Sequence, residues 1–348
     1  MVRPDLLTRL LLLPLALLLT GCGRPQDRVV LYCAQDEEFA EAILRDFHNR
    51  TGLRVDTKFD TEADKSVSLY TELFHEKSRP RCDVHWNNEI LATIRLQHQG
   101  LLEPYTSPSA QPYPSWAQAK DHSWHAFAER ARVILVNTNL VKDDDRPHGL
   151  LDLADRRWRG RMAMAKPLFG TSATQAACLF EVMGPEKAKN FYFALRQNGI
   201  HIVPGNKQVA EGVGSGRYAA GITDTDDAMA EVEAGHAVAL IFPDRDRPRG
   251  DRMGTLFIPN TVAIIRGSPN PEGARRLVDY LLSSEVETRL AEAASHQMPL
   301  NPQVKARLPK EIERRDAVKP MEVDFEKAAD LWHETDTFLR NEFARPDD

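Results

Sequence analysis

From residue 28 onward short apolar runs alternate with amphipathic stretches, and that alternation restricts the chain to sheets covered by helices. Val29-Val30-Leu31-Tyr32 reads as a buried strand. Behind Asp36-Glu37-Glu38, Phe39, Ile43, Leu44 and Phe47 recur at helical spacing, and Gly52 stands where a helix ends in the left-handed conformation. Strands are predicted over 53–57 and 83–86, and helices over 67–74 and from Ile90 to Gly100, with Asn87 or Asn88 as the cap of the latter. A long strand is predicted around 131–139. The alternation then resumes, with strands over 162–165, 200–203, 218–222 and 238–242 and helices over 173–183, 186–195 and 209–213. Thr255 to Ala263 reads as a strand that returns the chain to the first unit, followed by helices over 274–282, 286–293 and 325–338. The pattern predicts an α/β chain of two doubly wound lobes, one formed by 28–131 plus 256–348 and the other, 132–255, inserted in it. A length of 348 residues agrees with two lobes.

Composition narrows the function. With 42% hydrophobic and 28% charged residues the chain is neither a polytopic membrane protein nor a long disordered one. Its net charge of -6, from 45 Lys+Arg against 51 Asp+Glu, argues against nucleic acid as a partner, because phosphate backbones need a basic face. Four cysteines are too few for a disulfide scaffold. Cys33 and Cys82 fall at opposite ends of strands expected to run parallel, too far apart to pair, and with Cys178 they read as buried free thiols.

The first residues read as an address. Arg3 and Arg9 precede an apolar core from Leu10 to Leu19, too short to span a bilayer, and Leu19-Thr20-Gly21-Cys22 resembles the bacterial lipobox. The reading is a signal peptide over 1–21, lipidation at Cys22, and a polar tether over 22–27 that holds the protein outside the cytoplasmic membrane.

Catalytic arrangements are missing: there is no Gly-x-Ser-x-Gly, Walker loop, His-Glu-x-x-His or Cys-x-x-Cys, so no catalytic residue is assigned and no cofactor is expected. His122 and His125 lack a third ligand, and Asp224-Thr225-Asp226-Asp227 lacks the glycine and terminal glutamate of an EF-hand loop. The charged knots Asp143-Asp144-Asp145 and Asp244-Arg245-Asp246-Arg247 read as solvated turns. What the sequence does supply is polar residues at the carboxyl ends of successive strands, where open α/β sheets bind ligands. These are Gln35, Asp36 and Glu37; Asn87, Asn88 and Glu89; Gly170, Thr171, Ser172 and Thr174; Gly205 and Asn206; and Asp224, Thr225 and Asp226. Several sit at helix starts, where they also serve as caps. Phe169-Gly170-Thr171-Ser172-Ala173-Thr174 leaves backbone N–H groups open at a helix N-terminus and suits an anion. Asp36, Glu37, Glu89, Asp224 and Asp226 suit a cation or an amine. Both signs together fit a solute that carries both.

With these features in place the chain resembles the extracellular solute-binding component of bacterial ABC importers, and within them the ferric-ion-binding subgroup related to thiamine and polyamine binders. The resemblance runs from Val29-Val30-Leu31-Tyr32 through Ala131-Arg132-Val133-Ile134-Leu135-Val136-Asn137, Leu151-Asp152-Leu153-Ala154-Asp155 and Phe169-Gly170-Thr171-Ser172 to Ala274-Arg275-Arg276-Leu277. It implies a two-lobed periplasmic-binding-protein-like fold of type II, a monomer that closes on solute about a hinge and delivers it to a membrane permease driven by an ATPase. It also implies ferric iron or another metal cation as transported ligand, with Asp224, Asp226 and Glu89 as metal ligands and Gly170-Thr171-Ser172-Ala173 as the segment for an accompanying anion. The paired tyrosines of ferric binders are replaced here by Thr225-Asp226, and the first-loop histidine of some members by Asp36. An organic amine or a phosphorylated solute is the alternative ligand, and an enzyme or a sensory receptor on the same scaffold the alternative class.

Overall fold

The computed structural model describes residues 27–60, 68–246 and 253–344. The expected signal segment, Cys22 and the expected tether before Asp27 lie outside the described residues, as does Val67 at the expected start of the second helix.

The first half opens with β1 (Arg28–Cys33), α1 (Glu37–Thr51), β2 (Arg54–Phe59), α2 (Ser68–His75), β3 (Val84–Asn87), α3 (Leu91–His98) and β4 (Leu102–Glu103). Helix α1 forms as its pattern requires. Ala40, Ile43, Leu44 and Phe47 face the core, Glu37 and Glu38 lie at the positive end of its dipole, and Gly52 at φ 72° returns its N–H to the His48 carbonyl at 2.8 Å. The chain then enters β5 (His125–Asn137), whose 13 residues are all buried.

The second half contains β6 (Met162–Ala165), α4 (Gly170–Met183), α5 (Pro185–Gln197), β7 (His201–Val203), α6 (Asn206–Gly214), β8 (Ala220–Asp224), α7 (Thr225–Glu233) and β9 (Val238–Ile241). Strand β10 (Phe257–Ile265) leads back to β3, and α8 (Pro271–Leu281), α9 (Ser284–Glu292), α10 (Phe325–Asp330) and α11 (Trp332–Phe343) close the chain. Asn270 caps α8 by accepting from the Gly273 N–H at 3.0 Å, with Pro271 in the first turn where its missing N–H costs nothing.

The strands form one path, β2-β1-β3-β10-β5-β8-β6-β7, with β4 on β10 and β9 on β5. The local order β2-β1-β3 is repeated as β7-β6-β8, both parallel, and the two units meet at β5. Residues 125–131 of β5 pair antiparallel with β10, while 132–137 pair with β8 and β9. One strand therefore serves both lobes of an α/β two-lobed fold.

Several sequence expectations change. The long strand begins at His125, because Glu129, Arg130 and Arg132 are buried in it with charged partners. The closing helix is two, broken at Leu331. Helix α11 packs on α4 and α5, elements of the inserted segment, although the sequence reading grouped the C-terminus with the first lobe. Asp244 is not a solvated turn residue: it is buried and accepts the Met253 and Gly254 N–H groups, both at 2.9 Å. Cys33, Cys82 and Cys178 are buried, and burial pushes the Cys82 and Cys178 thiols well above their usual range.

Candidate functional site

A cleft of about 630 Å³ opens where the starts of α1, α4, α6 and α7 converge on the middle of β5. Asp36, Glu38, Phe39 and Asn88 line it from the first half. Phe169 to Ser172, Pro204 to Gln208, and Asp224, Asp226 and Asp227 line it from the second.

The second-half wall is one hydrogen-bonded network around a guanidinium. Arg132, on β5 and 2% exposed, donates to Asp224 Oδ1 at 2.7 Å, Asn206 Oδ1 at 3.0 Å, Gln175 Oε1 at 3.1 Å, and the Thr171 and Ser172 hydroxyls at 3.3 Å. Thr171 donates to Asp224 Oδ2 at 2.5 Å, and Asn206 donates to Thr171 Oγ1 at 2.9 Å and Asp224 Oδ2 at 3.0 Å. This binds the first turns of α4 and α6 to the end of β8. The first-turn N–H groups of those helices have no partner inside the helix and point out of its N-terminus. Lys166 and Lys207 line the same side.

Arg130 lies two residues earlier on the same face of β5, 3% exposed. It donates to Gln35 Oε1 at 2.9 Å and pairs with Asp226 Oδ2 at 3.3 Å. Burial works against its charge, but Asp226, Asp224, Asp36 and Asp227 outweigh that and hold its pKa above the usual value. Its Nε and the Gln35 Nε2 are buried without a hydrogen-bond partner among the described residues.

Of the residues singled out in the sequence, Asp36, Asn88, Gly170, Thr171, Ser172, Asn206, Asp224 and Asp226 line this cleft together. Glu37, Glu89, Thr174 and Thr225 do not. Glu37 is exposed on α1. Glu89 caps α3: Leu91 N–H, Ala92 N–H and Asn87 Nδ2 donate to it at 2.6, 2.9 and 3.0 Å, and Thr174 Oγ1 adds a fourth bond at 2.8 Å. Every site on that carboxylate is occupied, and neither Asn87 nor Asn88 acts as the cap. Thr225 accepts from the Ala131 N–H at 3.2 Å, inside the sheet. Sequence reasoning missed Arg130 and Arg132 as site residues. The signal was present, since charged residues in a strand buried on both faces need buried partners.

As a metal site the cleft offers Asp224, Asp226 and Asp227, with carboxylate oxygens within 4.8 Å of one another. No tyrosine or histidine among the described residues lines it. Asp224 and Asp226 already face buried guanidinium groups. His125, set aside in the sequence as a metal ligand, accounts for Nε2 through the Tyr105 carbonyl at 2.8 Å, and His122 Nδ1 lies 3.1 Å from Gln118 Oε1.

Residues 92–318 match the family model described as bacterial extracellular solute-binding protein. The chain belongs to that family. It is thus a solute-binding component of ABC import, and a binding protein, not an enzyme. The major ferric iron-binding protein of Neisseria meningitidis serogroup A is 25% identical over 298 residues, covering 83% of this chain and 86% of the relative. A putative 2-aminoethylphosphonate-binding periplasmic protein of Salmonella typhi is 23% identical over 241 residues, covering 67% and 66%. Among solved structures, iron-bound HitA from Pseudomonas aeruginosa superposes with a TM-score of 0.79 at 20% identity, covering 90% of this chain and 99% of that one. The two-lobed fold of this solute-binding protein is therefore that of periplasmic binding proteins.

Proposed function

We propose that this protein captures an organic solute bearing a phosphate or phosphonate group together with an amine or hydroxyl groups, and hands it to its permease. The observation that carries this reading is the pairing of Asp224 with Arg132 and of Asp226 with Arg130, both buried, in a cleft of about 630 Å³. A trivalent cation would have to sit beside two guanidinium groups, on carboxylates that they already neutralise. That volume also falls in the range of pockets for small organic ligands. In this reading the anionic group lies at the starts of α4 and α6, against Ser172, Asn206 and Lys207. The cationic or hydroxyl end faces Asp36, Glu38 and Asp227. The relative named for 2-aminoethylphosphonate supports a ligand carrying both charges.

A metal ion is the second reading, favoured by the cluster Asp224, Asp226 and Asp227 and by the ferric iron-binding relative. It would use Asp227 in place of Glu89, whose oxygens are fully engaged.

Closure follows from the same strands. The lobes divide within β5 near Ala131 and at β10 near Leu256, so small backbone changes over 131–137 and 256–262 bring α1 toward α7 across the solute. A lipid on Cys22 tethers this monomer to a membrane surface. Native mass spectrometry of the non-lipidated protein as purified, with elemental analysis of the same sample, tests the ligand class. A phosphorus-containing adduct without metal is the expected result, and a stoichiometric metal alone would replace this reading with the second.

A further inference from the structure

We infer that the C-terminal segment Phe325–Phe343 is a clasp between the lobes, carried by the α4–α5 side and released from α3, with Arg95 and Trp332 positioning the lobes without touching solute. The inference rests on the closure described above and is independent of the solute's identity. Helix α10 contacts both α3, which follows β3, and α4, which follows β6, so the segment bridges the two halves beside the cleft.

Its two attachments differ in kind. On the α4–α5 side the Phe338 ring lies 5.8 Å from Phe180, 5.3 Å from Phe193 and 6.4 Å from Tyr192, and Phe343 lies 6.0 Å from Tyr192. Phe180, Tyr192 and Phe343 are buried, and Lys189–Glu334 at 2.9 Å and Arg196–Glu342 at 2.7 Å flank them. An apolar nest of this size stays together through a lobe movement. On the α3 side α10 buries only the small side chains Ala328 and Ala329, and the larger contacts are polar. The Arg95 guanidinium is stacked between Tyr70 at 4.3 Å and Trp332 at 4.4 Å. His98 Nε2 lies 2.8 Å from Glu326 Oε2, with side chains 37% and 54% exposed. The exposed His98–Glu326 pair is worth little, whereas the Arg95 stack, partly withdrawn from water, is worth more and is the contact that holds this side.

The packing between the two attachments is incomplete. A cavity of about 170 Å³ lies under Arg95 and Trp332, and its wall includes Glu89 and Gly170. Gly170 also lines the solute cleft, so the clasp reaches the first turn of the helix that faces the solute. The Thr174–Glu89 bond at 2.8 Å also joins α4 to the start of α3. Weakening the α3 attachment removes free energy from the closed arrangement alone and shifts the population toward the open one.

The test is a spin-label distance measurement on the solute-free protein. Labels go on cysteines introduced at Ala42 on α1 and Lys187 on α5, both exposed, while the three native thiols in the described residues are buried. Trp332→Ala should add a longer-distance population, Trp332→Phe should restore the starting distribution, and Arg95→Gln should act like Trp332→Ala. Hydrogen exchange on Trp332→Ala should show lost protection over 325–331 and retained protection over 335–343. Unchanged distances in folded Trp332→Ala and Arg95→Gln would overturn the clasp, and lost protection confined to 335–343 would overturn its carriage by α4–α5. Because no solute is added, an error in the proposed ligand leaves this result unaffected.

Discussion

The Arg132 guanidinium donates to Asp224 Oδ1 at 2.7 Å, with both side chains 97% or more buried, on the wall of the cleft. A buried ion pair of this kind contributes little net stability compared with an apolar pair, yet removing one partner strands a charge. Its value lies in geometry. Through Thr171, Ser172 and Asn206 it fixes two helix starts so that their open N–H groups converge.

That asymmetry predicts a non-additive pair. Asp224→Asn should destabilise the solute-free protein by about 3 kcal/mol, the scale for an uncompensated buried charge. Arg132→Met should cost a similar amount, and the double variant clearly less than the sum. Urea denaturation of the four proteins measures this, and strict additivity would show that the two groups do not act as a pair.

Cys82 and Cys178 should be silent in the native state. Cys33, Cys82 and Cys178 are buried, and desolvation holds the Cys82 and Cys178 thiols protonated at neutral pH. Iodoacetamide at pH 8 should modify neither Cys82 nor Cys178 in the folded protein and both in urea, as located by mass spectrometry. Modification of native Cys178 would place its helix, α4, in exchange with an opened form.

Much of this was legible in the sequence. Short apolar runs located most of the strands, and polar residues at their carboxyl ends located the cleft, because both follow from local periodicity and from the geometry of open α/β sheets. The first part of β5 was not legible, since His125-Ala126-Phe127-Ala128-Glu129-Arg130 breaks the apolar pattern with charges. Their partners, Arg315 for Glu129 and Asp226 for Arg130, lie 186 and 96 residues further along the chain, and only the fold brings them together. The role of Glu89 was hidden for a related reason. Its position marks a helix start, but nothing local reveals that Thr174 from the other lobe takes its fourth bond.

His85 predicts acid sensitivity. It is buried on β3, both ring nitrogens lack hydrogen-bond partners among the described residues, and burial pushes its pKa down from 6.5 to about 4. The unfolded chain therefore binds a proton near pH 6.5 that the folded one refuses until about pH 4, so stability is full above that window and falls as the pH drops through it. The expected loss is about 3 kcal/mol. His125, whose pKa is also lowered by burial, acts in the same direction. Urea denaturation at pH 7.5 and 4.5 should show a smaller pH effect in His85→Phe than in the parent protein, and equal effects would mean that His85 does not govern this window.

The cleft itself makes a prediction about charge. Ser172 and Asn206 stand at the starts of α4 and α6, while Asp227 stands in the first turn of α7 and lines the same cleft, with a carboxylate oxygen within 4.8 Å of one on Asp224. If the anionic end of the solute lies at the open N–H groups of these two helix starts, losing the Asn206 bonds to Thr171, Asp224 and Arg132 that hold them in place should cost on the order of one charged hydrogen bond, about 1.5–3 kcal/mol, or ten- to about a hundredfold in affinity. Titration calorimetry with 2-aminoethylphosphonate as probe should show that loss in Asn206→Ala. Asp227→Asn should weaken the same probe, yet leave binding of inorganic phosphate, which has no amine, within about twofold. Loss of phosphate binding in Asp227→Asn, or unchanged binding of both probes in Asn206→Ala, would reverse the assignment of the two ends of the cleft. Ferric citrate offered to the same variants separates the metal reading. A carboxylate-held ion would lose affinity in Asp227→Asn and keep it in Asn206→Ala, the opposite order to that expected for an anion held by helix starts.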